Sequence, residues 1–252
     1  MPLPTRLFFP GPVCEPRDPG FLHRCCYYSP ITLTQLQNAP NNYLSLQMQA
    51  TEPSSHHILP NTIGLALCGG ASSRMGTDKS ILQYKNKPQR YYVYDLLLTL
   101  CDEAFISINE QQVGTIESGY NYIQDNISFG KNGPMVALLT AFNKYPETNM
   151  LLIGCDYPFL STGELQRFST FCKEDAIAFY NVENEIYEPI LAWYPFKCFQ
   201  KLHEMILAKE YSLQHFLTQC GAAKYLPEDE NSIKSIDTIE AYNETLKLIN
   251  AT

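Results

Sequence analysis

The chain has 252 residues, of which 45% are hydrophobic and 12% aromatic, and this excludes global disorder because the apolar share suffices for a sizeable core. A formal net charge of −8 argues against nucleic acid as the main partner, because phosphate backbones require a surplus of Lys and Arg. No apolar run reaches the roughly 18 residues of a membrane span, so we expect no membrane association and a cytoplasmic location.

The cysteines do not predict a metal site or a disulfide framework. Their number, nine, is odd, and most of them lie inside apolar runs, where cysteine behaves as a small hydrophobic residue. No C-x-x-C pair occurs, so a zinc site is not expected.

The first 60 residues differ in composition from the remainder. They hold 10 of the 17 prolines and only six charged residues, and they show no helical or strand periodicity. We therefore predict a Pro-rich, disordered N-terminal extension over residues 1–60 and one folded domain over residues 61–252. Met48, shortly before the domain, is an alternative start of translation.

From Asn61 onward, short apolar runs alternate with helical patterns, which is typical of a parallel sheet with crossover helices. The predicted strands cover residues 63–68, 104–108, 120–124, 150–155, 176–180, 190–194 and 232–236. The predicted helices cover residues 88–101, 134–142, 162–171, 196–207, 212–217 and 238–248. Together they predict an α/β domain of three layers without internal repeats.

The first strand runs into the loop LCGGASSRMGTDKS, residues 67–80. Its glycines and serines remove side-chain bulk and let backbone N–H groups converge on an anion, while Arg74 and Lys79 supply positive charge. Because ligands of open α/β sheets bind at the carboxyl ends of the strands, we predict a triphosphate site here. The spacing matches neither the P-loop nor the dinucleotide fingerprint, and a tight chain reversal without a ligand is the alternative.

Asp156 follows the apolar run 150–155 directly. A carboxylate at the end of a buried strand is unfavourable without a partner, and a divalent cation is the partner that a nucleotide site provides. Alternatively, Asp156 is a turn residue that accepts hydrogen bonds from backbone N–H groups, while Ser161 or Thr162 caps the next helix. At this point both interpretations are open.

The pattern L-x-G-G-x-S-x-R-M-G-x-D-K resembles the signature of the molybdenum cofactor guanylyltransferases, the MobA family. It is present as Leu67, Gly69, Gly70, Ser72, Arg74, Met75, Gly76, Asp78 and Lys79. The resemblance covers about residues 61–250 and implies a Rossmann-like nucleotidyltransferase domain with a mostly parallel sheet.

Further matches follow in the family's order. Asn109 resembles the guanine-side Asn, Asp125 resembles a nucleotide-contacting Asp, and Asp156 resembles the magnesium-binding Asp. Residues 188–191 resemble the strand segment that borders the pterin, and Asp237 is the candidate for a second metal ligand. The implied GTP-binding set is Leu67, Cys68, Gly69, Gly70, Lys79, Asn109, Asp125 and Asp156.

The resemblance also implies a reaction. The terminal phosphate of molybdopterin would attack the α-phosphorus of GTP, giving molybdopterin guanine dinucleotide and pyrophosphate with Mg²⁺ as cofactor. Arg74, Lys79 and Asp156 are the implied catalytic residues. Besides GTP and molybdopterin, the implied partners are other cofactor-biosynthesis proteins and molybdoenzymes.

Three alternatives stay open. The related cytidylyltransferases carry Ala in place of Gly69 and commonly lack an Asp at the position of Asp78, so these two residues favour GTP over CTP. Departures from the family pattern at Val136, Ser235 and Ile239 are compatible with a nucleotide-binding regulatory relative that lacks transfer activity. A sugar-phosphate nucleotidyltransferase shares the fold but usually has a longer chain and a different first loop.

Overall fold

The computed structural model describes residues 59–68, 78–130 and 133–250. The predicted N-terminal extension lies outside the described residues, apart from Leu59 and Pro60, which begin the first strand. Most of the glycine-rich loop, residues 69–77, also lies outside them.

The described residues form seven strands and six α-helices. The strands are β1 (Leu59–Leu67), β2 (Cys101–Ile108), β3 (Tyr122–Gln124), β4 (Asn149–Gly154), β5 (Ile177–Asn181), β6 (Ile186–Tyr194) and β7 (Ala223–Tyr225). The helices are α1 (Gln89–Leu98), α2 (Pro134–Lys144), α3 (Thr162–Ser169), α4 (Cys198–Leu207), α5 (Leu213–Gln219) and α6 (Ile239–Asn250).

All seven strands belong to one sheet, in the order β3-β2-β1-β4-β6-β5-β7. β1 pairs in parallel with β2 and β4, β2 with β3, and β5 with β7. β6 is antiparallel to both of its neighbours, β4 and β5. The predicted mostly parallel sheet is therefore confirmed.

Helices cover both faces of the sheet, which makes three layers. On one face, α1 and α3 bury Leu97 and Phe168 against the strands. On the other face, α2, α4 and α5 bury Leu139, Leu202 and Phe216. The central strands contact helices on both sides, which explains why β1 and β4 are almost continuously apolar in sequence.

Two features at the C-terminal end differ from the prediction. The expected strand over residues 232–236 is wrong: Glu230–Ile233 is a 3₁₀ turn, capped by the Asp229 side chain. Ile233 and Ile236 are both buried, but they are three residues apart, which does not fit the two-residue period of a strand, and the Ile236 N–H donates to the Asp156 carbonyl. The short strand β7 was not predicted, because three residues are too few to show periodicity.

The helix predicted over residues 88–101 ends earlier than expected, at Leu98, and β2 begins at Cys101. The exposed charges of Asp102 and Glu103 interrupt the apolar pattern at the start of this strand, so Cys101 was assigned to the helix and the strand was predicted to begin only at residue 104. Within the described ranges, none of the helices has the length and apolar character needed to cross a membrane.

Gly64 gives a test of the packing between β1 and α1. A Cβ atom at Gly64 would lie 2.7 Å from Leu97 Cβ, so we expect Gly64→Ala to lower the free energy of unfolding. The expected loss is about 1–3 kcal/mol, as for other overpacked cores. Gly163→Ala in α3 is the matched control, because its nearest neighbouring atoms lie 3.9 Å away. Urea denaturation measures both, and equal stabilities would contradict this packing.

Candidate active site

The sheet topology brings the predicted site residues to one edge. Cys68, Asn109 and Asp125 directly follow β1, β2 and β3, and Asp156 lies two residues beyond the end of β4. Because these four strands are parallel neighbours, their carboxyl ends form one continuous edge, as in other open α/β sheets. β6 runs in the opposite direction, so its first residues reach the same edge.

Asp156 is the most unusual side chain at this edge. Its Oδ2 accepts a hydrogen bond from Ser235 Oγ at 3.4 Å, and its backbone carbonyl accepts one from the N–H of Ile236 at 3.0 Å. Its Oδ1 is buried and makes no hydrogen bond among the described residues. Burial is the main reason that the pKa of Asp156 rises to about 6; Asp237 adds to this effect and Lys79 opposes it.

The donor set around Asp156 fits a cation. A buried carboxylate oxygen without a hydrogen-bond donor is the type of ligand that Mg²⁺ prefers. Within the described ranges, no three His, Cys, Asp or Glu side chains cluster as a complete protein metal site. A bound ion would therefore need further oxygen ligands from water or from a substrate.

Lys79 and Asp237 lie beside Asp156 and contact each other. Lys79 Nζ and Asp237 Oδ1 are 2.6 Å apart, and the two side chains are 20% and 52% exposed. The structure thus brings together the predicted phosphate ligand and the predicted second metal ligand as an ion pair. The pair is accessible to solvent, so a polyphosphate can reach the ammonium group.

Asn109 caps a 3₁₀ turn rather than extending from the strand. Its Oδ1 accepts hydrogen bonds from the backbone N–H groups of Gln111 and Gln112, and Gln112 Oε1 accepts from the Asn109 N–H in return. Gln112 Nε2 also donates to Asp78 Oδ2 at 2.8 Å. Gln112 was not among the predicted site residues, although the N-x-x-Q spacing of a capping box was a signal for it.

Asp125 lies at the end of β3 and contacts the neighbouring strand. Its Oδ1 accepts a hydrogen bond from Ser107 Oγ at 2.7 Å, and its N–H donates to the Ile108 carbonyl. Burial raises the pKa of Asp125 to about 6, and the hydrogen bond from Ser107 opposes the rise. The site therefore holds a second partly buried carboxyl group on the side of Asn109.

Glu188, near the start of β6, also lies at this edge, on the side of β4 away from β1. Its Oε2 accepts a hydrogen bond from the hydroxyl of Tyr157 at 2.8 Å, and burial raises the pKa of Glu188 with a smaller contribution from Asp156. Tyr157 carried no signal in the sequence beyond its position next to Asp156. Gly154 keeps this corner open, because a Cβ there would lie 2.5 Å from Asp156 Oδ1 and 2.6 Å from Ile190 Cδ1.

The remaining predicted residues divide into two groups. Leu67 and Cys68 have buried side chains, 6% and 4% exposed, so only their backbone atoms can face a ligand. Gly69, Gly70 and Arg74 lie outside the described residues. Cys155 is buried beside Cys68, and hydrogen bonding to that thiol together with burial raises the pKa of Cys155, which makes it unsuited to nucleophilic attack.

The fold and the family match define the class: this is a three-layer α/β domain of the NTP transferase type, and the carboxyl ends of β1 to β4 form its candidate ligand side. The family of MobA-like NTP transferase domains matches residues 64–224. The chain belongs to this family, and the resemblance noted in the sequence is confirmed.

Individual relatives agree with this assignment. The chain is 33% identical over 135 residues to the molybdenum cofactor biosynthesis bifunctional protein of Synechocystis sp., which covers 52% of this chain and 38% of that protein. It is 28% identical over 109 residues to a molybdenum cofactor guanylyltransferase of Campylobacter jejuni, covering 43% and 56%. The matched part of the chain thus spans about two fifths to just over half of these two relatives.

Among solved structures, molybdopterin-guanine dinucleotide biosynthesis protein A of Archaeoglobus fulgidus has a similar fold. Its TM-score is 0.63 at 18% sequence identity, and the superposition covers 75% of this chain and all of that chain, 100%. At this identity the likeness establishes the fold alone.

The buried carboxyl group of Asp156 predicts how the stability of the domain depends on pH. Its pKa rises from the usual 3.8 to about 6 on folding, so the folded protein keeps a proton that the unfolded chain loses. Stability therefore falls as the pH rises from about 4 to 6, and the loss persists above that range. Asp156→Asn removes the ionisable group and with it this loss of stability. Without divalent cations, we therefore expect the variant to have a free energy of unfolding about 1–3 kcal/mol higher at pH 7.

The measurement is urea denaturation in the presence of a chelator, at pH 7 and again near pH 3, below the usual pKa of 3.8. The difference between Asp156→Asn and the unchanged protein should disappear at the lower pH, where both states carry a protonated Asp156. A variant less stable than the unchanged protein by equal amounts at both pH values would contradict the burial of a charged carboxylate.

Proposed function

We propose that the chain transfers GMP from GTP to molybdopterin, giving molybdopterin guanine dinucleotide and pyrophosphate in a Mg²⁺-dependent reaction. The observation that carries the proposal is the buried Oδ1 of Asp156, which has no hydrogen-bond partner among the described residues and lies near Lys79 at the carboxyl edge of a MobA-like domain. The name of the Campylobacter jejuni relative, a molybdenum cofactor guanylyltransferase, supports the same reaction.

Asp156 is the proposed principal ligand of Mg²⁺, and Asp237 is the proposed second ligand. When bound, Mg²⁺ would neutralise charge on the phosphate oxygens around the reacting phosphorus. Asp237 is paired with Lys79, so an arriving phosphate competes with this carboxylate for the ammonium group. The exchange would release Asp237 toward the ion as Lys79 turns to the nucleotide.

Lys79 is proposed to bind the β- and γ-phosphates and to stabilise the leaving pyrophosphate. Arg74 and the backbone N–H groups of Gly69 and Gly70 are proposed to join it from the glycine-rich loop. Asn109 and Asp125 are proposed to contact the nucleoside, because they follow the two strands beyond β1 on the side away from Asp156. This order along the edge fits an extended nucleotide.

In the proposed step, an oxygen of the molybdopterin phosphate forms a bond to the α-phosphorus of GTP. The bond between that phosphorus and the oxygen that bridges to the β-phosphorus breaks, and the electron pair leaves with pyrophosphate. Such a transfer depends on positioning and charge neutralisation rather than on a protein nucleophile. The burial of Cys68 and Cys155 supports this direct route.

The decisive assay incubates the full chain with Mg²⁺, molybdopterin or its molybdenum form, and either GTP or CTP, and measures pyrophosphate. We expect release with GTP well above that with CTP. A preference for CTP would replace guanylyl transfer with cytidylyl transfer. Tight GTP binding without pyrophosphate release would instead favour a nucleotide-binding regulatory protein, the alternative that Val136, Ser235 and Ile239 leave open.

Lys79→Ala tests the role of the ammonium group. If Lys79 stabilises charge that develops on pyrophosphate, kcat should fall by about two orders of magnitude or more. Lys85→Ala is the matched control, since this exposed lysine donates to the hydroxyl of Tyr92 and is not assigned to the site. Near-normal turnover of Lys79→Ala at saturating Mg²⁺ would rule out this role.

A further inference from the structure

We propose that Gln112 is a positioning residue that links the base side of the site to the phosphate side and sets their separation. The inference rests on the proposed function in one respect, namely that both sides bind the same nucleotide. The Gln112 side chain is buried and uses both ends of its amide: Oε1 accepts from the Asn109 N–H at 3.1 Å, and Nε2 donates to Asp78 Oδ2 at 2.8 Å.

At the base end, Gln112 completes the turn that orients Asn109. The Asn109 Oδ1 is occupied by two backbone N–H groups of this turn, so its Nδ2 hydrogens are the atoms it can offer to a ligand. The following loop is fixed to α1, because the Arg90 guanidinium donates to the Thr115 carbonyl at 2.6 Å and to its Oγ1 at 3.2 Å. These hydrogen bonds fix the turn on the base side, and the loop that follows it, to α1.

At the phosphate end, Gln112 holds the residue that directly precedes Lys79. Asp78 Oδ1 accepts hydrogen bonds from the N–H and the hydroxyl of Ser80, and Asp78 Oδ2 accepts from Gln112. Both carboxylate oxygens of Asp78 thus serve the protein itself. Asp78, one of the residues of the sequence motif, thus links the 3₁₀ turn of residues 79–81 to Gln112 and is not proposed as a nucleotide ligand.

The link that the Gln112 side chain makes between the two sides matters for a ligand that occupies both sides at once. A nucleotide gains affinity from its linked base and triphosphate only when the two subsites are already held at the matching distance. Breaking this link should therefore weaken the binding of GTP. It should leave almost unchanged the binding of a ligand that occupies only the phosphate side. A hydrogen bond to a charged acceptor corresponds to a change in the GTP dissociation constant of about 10-fold or more.

The test is a reversal of the hydrogen bond between positions 78 and 112. Gln112→Glu places two carboxylates against each other, and Asp78→Asn places two amides in conflict. In the double variant, the amide at position 78 donates to the carboxylate at position 112. The second oxygen at position 112 still accepts from Asn109, and the oxygen at position 78 still accepts from Ser80.

Calorimetry with GTP and with inorganic tripolyphosphate, both with Mg²⁺ and without molybdopterin, provides the readout. Each single variant should weaken GTP by about 10-fold or more, and the double variant should recover to within about threefold. Tripolyphosphate binding should change less than about threefold throughout. Gln111→Ala, in the exposed neighbour within the same turn, is the control and should bind GTP normally.

Failure of rescue in the double variant, or equal weakening of GTP and tripolyphosphate, would overturn the proposal. If a single variant does not fold in a thermal-unfolding check, Gln112→Ala replaces it, with the same selective loss of GTP expected. If the unchanged protein prefers another nucleotide, guanylyl transfer is wrong, and the same series with that nucleotide still decides the role of Gln112.

Discussion

The buried carboxylate of Asp156 is the constraint around which this edge of the sheet is built. One of its oxygens has no hydrogen-bond donor among the described residues, and burial raises its pKa to about 6. A domain optimised only for stability would place an apolar or fully hydrogen-bonded residue here. The arrangement is reasonable when a cation completes the site, so the unfavourable burial is itself the strongest structural sign of function.

Elements distant in sequence converge on this carboxylate. Gly154 leaves the space that Asp156 Oδ1 and Ile190 occupy, and the segment before α6 contributes the Ser235 hydroxyl and the Ile236 N–H. The same segment carries Asp237, which pairs with Lys79 from the other end of the domain. The C-terminal segment is thus part of the site, although a departure from the family pattern lies within it at Ser235.

The sequence predicted the elements that follow from local patterns of apolar residues. It did not predict contacts between residues that are distant in sequence. The apolar runs of β1 and β4 are visible because both faces of these strands are covered, and the loops that follow them mark the binding edge. Residues 232–236 were predicted as a strand, but they form the end of a 3₁₀ turn and a connection to α6, and five residues are too few for a local pattern to separate the two. Gln112 joins positions 34 residues apart in sequence, and no single-sequence pattern reports such a contact.

A net charge of −8 is compatible with binding a polyanion only if the cationic groups are local and already in place. Pairing with Asp237 holds the Lys79 ammonium at the edge and compensates its charge there. In the proposed function, an incoming phosphate would replace Asp237 as the anion on Lys79 instead of desolvating a lone ammonium, and the Asp237 carboxylate would remain beside Asp156. On this proposal, an acidic domain would bind a metal-bound triphosphate through a few cationic groups at one edge of the sheet rather than through a broad basic surface.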